Sequence, residues 1–200
     1  QTGMTASTRT LTESVLYFYQ GGHRRILQFA EKLTDEQLHW RPSPDAVPIA
    51  FHLWHVARWA DYTNAVLPGM TPELGRLLPS AGQIWEDERL AERWGFADEL
   101  GAKATGMQMG EEVGARLQYP SQADLLDYAS KAFAAVEASS AVIPPDQMEA
   151  VEQWQPLTDG IWGEGTVGEA LLDHVAHDHL HLGAMEALLG LQTGRGSSTV

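Results

Sequence analysis

The chain has 200 residues, 44% of them hydrophobic, which suffices for the core of a single domain. Its 13 Lys and Arg stand against 27 Asp and Glu, and the net charge of −14 disfavours binding to nucleic acid and to anionic membrane surfaces. The absence of cysteine excludes disulfides, thiolate nucleophiles and cysteine-ligated metals. Any metal site must therefore use nitrogen and oxygen ligands.

The two ends of the chain are expected to lie outside a single domain spanning residues 4–193. The first methionine is Met4, so residues 1–3 are expected to be a cloning remnant, and the small, polar residues 194–200 are expected to be loose. The first ten residues lack the layout of a signal peptide, and no apolar run reaches the roughly 18 residues of a membrane span. We therefore expect a cytoplasmic protein without membrane contact.

The first half of the chain predicts two long helices. From about residue 8 to residue 33, apolar residues recur every three or four positions, and Gly21-Gly22 predicts a kink or a close helix contact. A capping-box pattern at 34–37 predicts a short helical turn. The second long helix is predicted from Pro48 to about Leu67, with Pro68-Gly69 ending it.

The second half predicts a long connection followed by two more helices. Between residues 70 and 120 the periodicity fails, apart from a charged stretch at 85–100 that fits one or two helical turns, and connections of this length are usually lids or binding loops. A third helix is predicted from its N-cap, Ser121, to before Pro144-Pro145. A capping box at 166–169 opens a fourth helix, predicted to end near Gly190. The fold class is therefore predicted to be all-α.

Histidines cluster in two of these helices. Eight are present, and the second and fourth helices hold six: His52, His55, His174, His177, His179 and His181. At about 100° per residue, His174, His177 and His181 lie within roughly 60° of arc, whereas His179 projects about 140° from His174. The same construction places His52 and His55 on the apolar face of the second helix. Both groups, without His179, are predicted to face inward.

This pattern favours a metal site. His177 and His181 are four residues apart, which brings two imidazoles to one point above a helix, and neutral imidazole is a common ligand of zinc, nickel and iron. Either His52 or His55 would complete a three-histidine site with positions left open, as catalysis requires. The alternative is a histidine-rich bundle without metal, in which hydrogen bonds satisfy the buried rings.

Three segments resemble DinB-like (YfiT-like) proteins: LTDEQLHWRPSP at 33–44, FHLWHVA at 51–57 and HDHLHLG at 177–183. The resemblance implies a four-helix bundle with a long crossover between helices 2 and 3, and a homodimer. It also implies a divalent metal ion, which we expect to be zinc, nickel, iron or manganese, on His55, His177 and His181. His52 and His174 lie outside this triad, as supporting groups or alternative ligands.

The same resemblance implies small-molecule chemistry. Relatives include metal-dependent thiol transferases, so we expect a transferase that uses a low-molecular-weight thiol, or a hydrolase if water is activated instead. The alternative is a non-enzymatic metal-binding or stress-response module without turnover.

Further residues are candidates for supporting roles. Trp162, in a glycine-flanked loop, is a candidate pocket wall. Carboxylates near the site in sequence are candidates for proton transfer or ligand support: Asp159, Glu164, Glu169 and Asp178. Arginines are candidates for binding a carboxylate-bearing thiol: Arg41, Arg58, Arg89, Arg93 and Arg116.

Overall fold

The structure, a computed structural model, describes residues 9–80, 82–97, 105–106, 109–150 and 165–195. These ranges contain ten helices in chain order: α1 (Leu11–Ala30), α2 (Asp35–His39), α3 (Ile49–Met70), α4 (Leu74–Leu77), α5 (Ile84–Asp87), α6 (Leu90–Arg93), α7 (Glu111–Arg116), α8 (Gln122–Ala141), α9 (Pro145–Met148) and α10 (Val167–Thr193). The all-α prediction is confirmed. Residues 1–3 and 196–200 lie outside the described ranges.

The predicted helix starts are confirmed where a side chain caps the backbone. At Thr34 and Thr166 both hydrogen bonds of the capping box are present, and the Ser121 hydroxyl accepts from the backbone N–H of Asp124. The first helix begins at Leu11, later than predicted, because Thr10 forms another capping box there. Local hydrogen bonds therefore set the start of each of these helices.

Three predicted helix ends differ from the structure, and the first of them is α1, which ends at Ala30 before the predicted Leu33. α3 continues through Pro68 to Met70, and α10 continues past Gly190 to Thr193. Proline removes one backbone donor near the end of α3, but Leu67 and Met70 beside it are 0% and 1% exposed, so burial in the core outweighs the lost bond. Gly190 is tolerated inside the last turns of α10.

α1 and α10 run parallel in direct contact. Leu11 packs against Gly168 near the start of both helices, and Gly22 packs against His179 near their middle. A Cβ at Gly22 would lie only 3.1 Å from His179 Cε1. The predicted close helix contact at the glycine pair is therefore present at Gly22.

α3 and α8 also run parallel, which explains the length of the connection between them. Asp61 accepts from the Tyr128 hydroxyl, and Asn64, further along α3, accepts from Ser139, further along α8. Because both helices point the same way, the chain must return along the whole bundle before α8 begins. The predicted long crossover makes this return.

The crossover packs back onto α3 through aromatic rings and a buried carboxylate. Trp85 and Phe96 contact the fully buried Trp54, with ring centroids 5.9 and 5.3 Å away. The Asp61 carboxylate accepts from the backbone N–H groups of Ile84 and Trp85, both at 2.9 Å. These contacts fix the crossover against the helix that carries His52 and His55. None of the helices in the described ranges has the length and apolarity that a bilayer crossing requires.

Candidate metal centre

The three predicted ligands meet between α3 and α10. One ring nitrogen from each of His55, His177 and His181 lies within 4.8 Å of the other two, and His55 Nε2 is 3.1 Å from His177 Nε2. His55 is buried and the other two are half-buried. The structure thus brings the predicted residues together, and their coordination of a metal stays a prediction.

The crossover orients His55. Its Nδ1 lies 2.6 Å from the carbonyl oxygen of Thr105, which can only accept, so Nδ1 carries the proton and Nε2 faces the other histidines. Phe51 stacks on the ring with centroids 5.4 Å apart. Gly106 has a φ of 87°, and a Cβ there would lie 2.9 Å from His55 Nδ1. The backbone at position 106 therefore approaches the His55 ring more closely than any residue with a Cβ would allow.

His52 supports His181 and does not join the group of three. The two Nδ1 atoms are 2.8 Å apart, so one ring donates a hydrogen bond to the other. When His181 donates, its Nε2 remains as the ligand atom. Burial lowers the pKa of His52 to about 4, and burial together with the neighbouring His177 and His52 lowers the pKa of His181 to about 3. Both rings are neutral at pH 7.

His174 shares the inward face of α10 but has a partner elsewhere. Its Nε2 lies 2.8 Å from the Thr63 hydroxyl, and Trp59 meets its ring at a centroid distance of 5.6 Å. Burial lowers the pKa of His174 to about 4. The structure therefore places His174 beside the three-histidine group as a neutral core residue.

His179 is turned away from the site, as predicted. Its ring lies against Gly22 of α1, and its Nδ1 donates to the carbonyl of Val175 at 2.8 Å. The position of His179 around the helix axis, about 140° from His174, was sufficient to exclude it.

Of the candidate carboxylates, Asp178 reaches the site. Its Oδ1 lies 3.8 Å from His177 Nδ1 and its side chain is buried. Burial alone would raise the pKa of Asp178, but the imidazoles of His177 and His23 lower it to about 2. Glu169 instead accepts from the backbone N–H of Thr166 at the start of α10. The remaining two carboxylates and the candidate pocket wall lie outside the described residues: Asp159, Glu164 and Trp162.

The candidate arginines have contacts away from the three histidines. Arg41 donates to backbone carbonyls of Pro44 and Ala115, and Arg58 is fully buried beside Asp61. The other three are exposed on the surface: Arg89, Arg93 and Arg116. The described contacts of these arginines therefore do not support binding of a carboxylate near the site.

Two residues beside the site, His23 and Glu137, were not predicted from the sequence. His23 of α1 lies 3.1 Å from Asp178 through Nε2 and 2.7 Å from Glu137 of α8 through Nδ1. The one sequence signal was the position of His23 directly after Gly21-Gly22, where a close helix contact was predicted. Its carboxylate partners are 114 and 155 residues away along the chain, and no local pattern links them.

The donor set fits a divalent first-row cation. Neutral imidazoles suit ions of intermediate softness such as zinc, nickel or iron, and burial lowers the pKa of His55 well below its usual value, with His181 and His177 adding to the effect. His177 Nδ1 is buried, and among the described residues no acceptor lies within hydrogen-bond distance of it. That nitrogen is thus available to donate once Nε2 is engaged by an ion.

Comparisons with known proteins agree with this architecture. A family model described as the DinB superfamily matches residues 19–185. A crystal structure described as the conserved protein of locus from Enterococcus faecalis has 16% sequence identity and a TM-score of 0.72, covering 94% of this chain and 100% of that chain. This likeness concerns the fold alone. A search of curated proteins found no match. The family match covers most of the chain, and the protein belongs to the DinB superfamily.

Proposed function

We propose that the protein binds one divalent metal ion through His55, His177 and His181 and uses it to transform a small molecule. The observation that carries this proposal is the convergence of three imidazole rings from two helices. The Nδ1 atoms of His55 and His181 have partners in the Thr105 carbonyl and His52, which leaves Nε2 of each ring for a metal ion. Such outer partners fix the tautomer and the direction of a histidine ligand.

The reaction we propose is transfer to or from a low-molecular-weight thiol, with hydrolysis as the variant in which water takes the place of the thiol. A divalent cation held by three imidazoles would supply a Lewis acid that lowers the pKa of a thiol or water. The chain has no cysteine, so the thiol would come from a cosubstrate. Phe51 stacks on the His55 ring, and Trp59 meets the rings of His55 and His177 edge-on, so these contacts would shield the two rings from water.

Metal content and thermal melting before and after chelation test metal binding. We expect about one first-row metal ion per chain and a lower melting temperature after chelation. An ion present at a free concentration of 100 times its Kd stabilises the folded state by about 2.7 kcal/mol. His177→Ala and His181→Ala should abolish binding. His179→Ala, a change on the same helix outside the site, should leave it intact. Equal loss in all three variants would contradict the proposal.

Turnover is tested with the metal-loaded protein. Thiols of different charge are screened against chromogenic electrophiles and esters, with His181→Ala as the control for reaction in solution. Thiol contact with the metal is followed separately by cobalt substitution, in which sulfur coordination adds a charge-transfer band. A protein that binds the metal but neither changes this spectrum nor turns over any compound would be the non-enzymatic metal-binding module.

A further inference from the structure

A chain of polar groups, buried in its middle, leads from the candidate metal centre toward the opposite side of α10. It begins at His177 Nδ1, which lies 3.8 Å from Asp178 Oδ1. The other oxygen of Asp178 is 3.1 Å from His23 Nε2, and His23 Nδ1 is 2.7 Å from Glu137 Oε1. Four side chains from α1, α8 and α10 therefore form one series, joined by hydrogen bonds except at the 3.8 Å step between His177 and Asp178.

The middle of this series is enclosed. His23 is 1% exposed and Asp178 is 3% exposed. The His23 ring stacks on Phe133 of α8, with centroids 3.9 Å apart and planes within 1° of parallel. On the other side, the close approach at Gly22 holds α1 against α10. Packing thus leaves His23 little freedom to turn away from either carboxylate.

His23 lies between two carboxylates and bonds to both of them. Both ring nitrogens face carboxylate oxygens, so the ring donates on both sides and its positive charge lies between two negative ones. Burial lowers the pKa of His23, but the hydrogen bonds to Asp178 and Glu137 outweigh this and raise it. An unpaired buried carboxylate would be costly, and His23 offsets that cost for Asp178.

Asp178 in turn faces the one ligand ring that lacks an outer partner. His55 and His181 have Thr105 and His52, whereas His177 Nδ1 has no acceptor within hydrogen-bond distance among the described residues. A histidine that binds a metal through Nε2 needs an acceptor for its Nδ1–H. Asp178 Oδ1 is placed to be that acceptor after a small rotation of the His177 ring.

We propose that Asp178, His23 and Glu137 are positioning residues for the metal ligand His177: Asp178 accepts from Nδ1–H, His23 holds Asp178, and Glu137 holds His23. This inference rests on the metal site proposed above. It extends the site to α1 and α8, so that all four long helices contribute to one metal centre.

Zinc affinity, measured by competition with a chromogenic chelator, tests the inference. Loss of an outer partner typically weakens metal binding 10- to 100-fold, and we expect a loss in this range for Asp178→Asn and His23→Gln. Glu137→Gln keeps the single acceptor oxygen that His23 uses, whereas Asp178→Asn keeps only one of the two oxygens in the series, so Glu137→Gln should cost less. His39→Gln is the matched control, because His39 also bonds with both ring nitrogens but to backbone carbonyls of Asp35, Tyr119 and Pro120.

A second readout separates positioning from general stability. The ¹⁵N chemical shifts of the zinc-loaded protein should show His177 protonated and strongly hydrogen-bonded at Nδ1, and Asp178→Asn should weaken that bond while circular dichroism stays that of the folded wild type. Wild-type affinity in folded Asp178→Asn and His23→Gln would overturn the inference, as would an equal loss in His39→Gln. If wild-type protein itself binds no zinc, the proposed metal site fails instead.

Discussion

At the scale of single residues, burial lowers the pKa of several histidines in and around the site. His174 is the clearest case outside the ligand group, because burial lowers its pKa from 6.5 to about 4. A lowered histidine pKa means that the unfolded chain binds the proton more tightly than the folded one. The stabilisation that His174 provides is therefore complete above pH 6.5 and is lost as the pH falls toward 4.

We accordingly predict that the metal-free protein loses stability between pH 6.5 and 4, with His174 contributing on the order of 3 kcal/mol across that window. Urea unfolding of the wild type and of His174→Gln in a chelator at several pH values measures this contribution. The pH dependence of the wild type should be the steeper of the two. Parallel stability curves would show that His174 does not titrate with folding.

At the scale of elements, the parallel contact of α1 and α10 depends on Gly22. A Cβ there would lie 3.1 Å from His179, whereas a Cβ at Gly21 would meet no atom within 4 Å. Gly22→Val should therefore overpack the contact and destabilise the fold by about 1–3 kcal/mol. Gly21→Ala should be neutral or should stabilise α1 by up to about 1 kcal/mol through helix propensity. Chemical denaturation gives the free energy of unfolding of both variants. Similar changes in the two variants would refute the contact assigned to Gly22.

At the scale of the whole molecule, Asp61 connects the crossover to α3. It is fully buried, accepts from Ile84 and Trp85, and lies 3.4 Å from the buried Arg58. Asp61→Asn removes the charge that compensates Arg58. Removing one partner of a buried ion pair typically lowers the free energy of unfolding by 3–5 kcal/mol. We predict a loss of this size in urea unfolding, with faster amide exchange at 84–85. Asp127→Asn, which removes an exposed ion pair with Lys131, should cost less than about 1 kcal/mol.

Further expectations about the whole molecule stay predictions: a single domain over 4–193, a homodimer and a cytoplasmic location. Light scattering in solution measures the oligomeric state directly.

Local patterns in the sequence were sufficient for much of this protein. Capping boxes predicted the starts of α2 and α10, because their hydrogen bonds involve residues three apart. The pair His177 and His181 was equally predictable, since one helical turn sets the distance between them. The end of α3 was not, because burial of Met70 against distant residues overrides the local effect of Pro68.

The residue pattern by itself left open whether His52 or His55 joins His177 and His181; the family resemblance implied His55, and the tertiary structure brings His55 to them. His52 and His55 share one face of α3, and the choice between them depends on how far α3 is shifted along α10 and on where the crossover places the Thr105 carbonyl. The series of Asp178, His23 and Glu137 joins residues more than 100 positions apart. Spacing along one helix determines which side chains share its face, whereas the packing between helices determines which of those side chains meet.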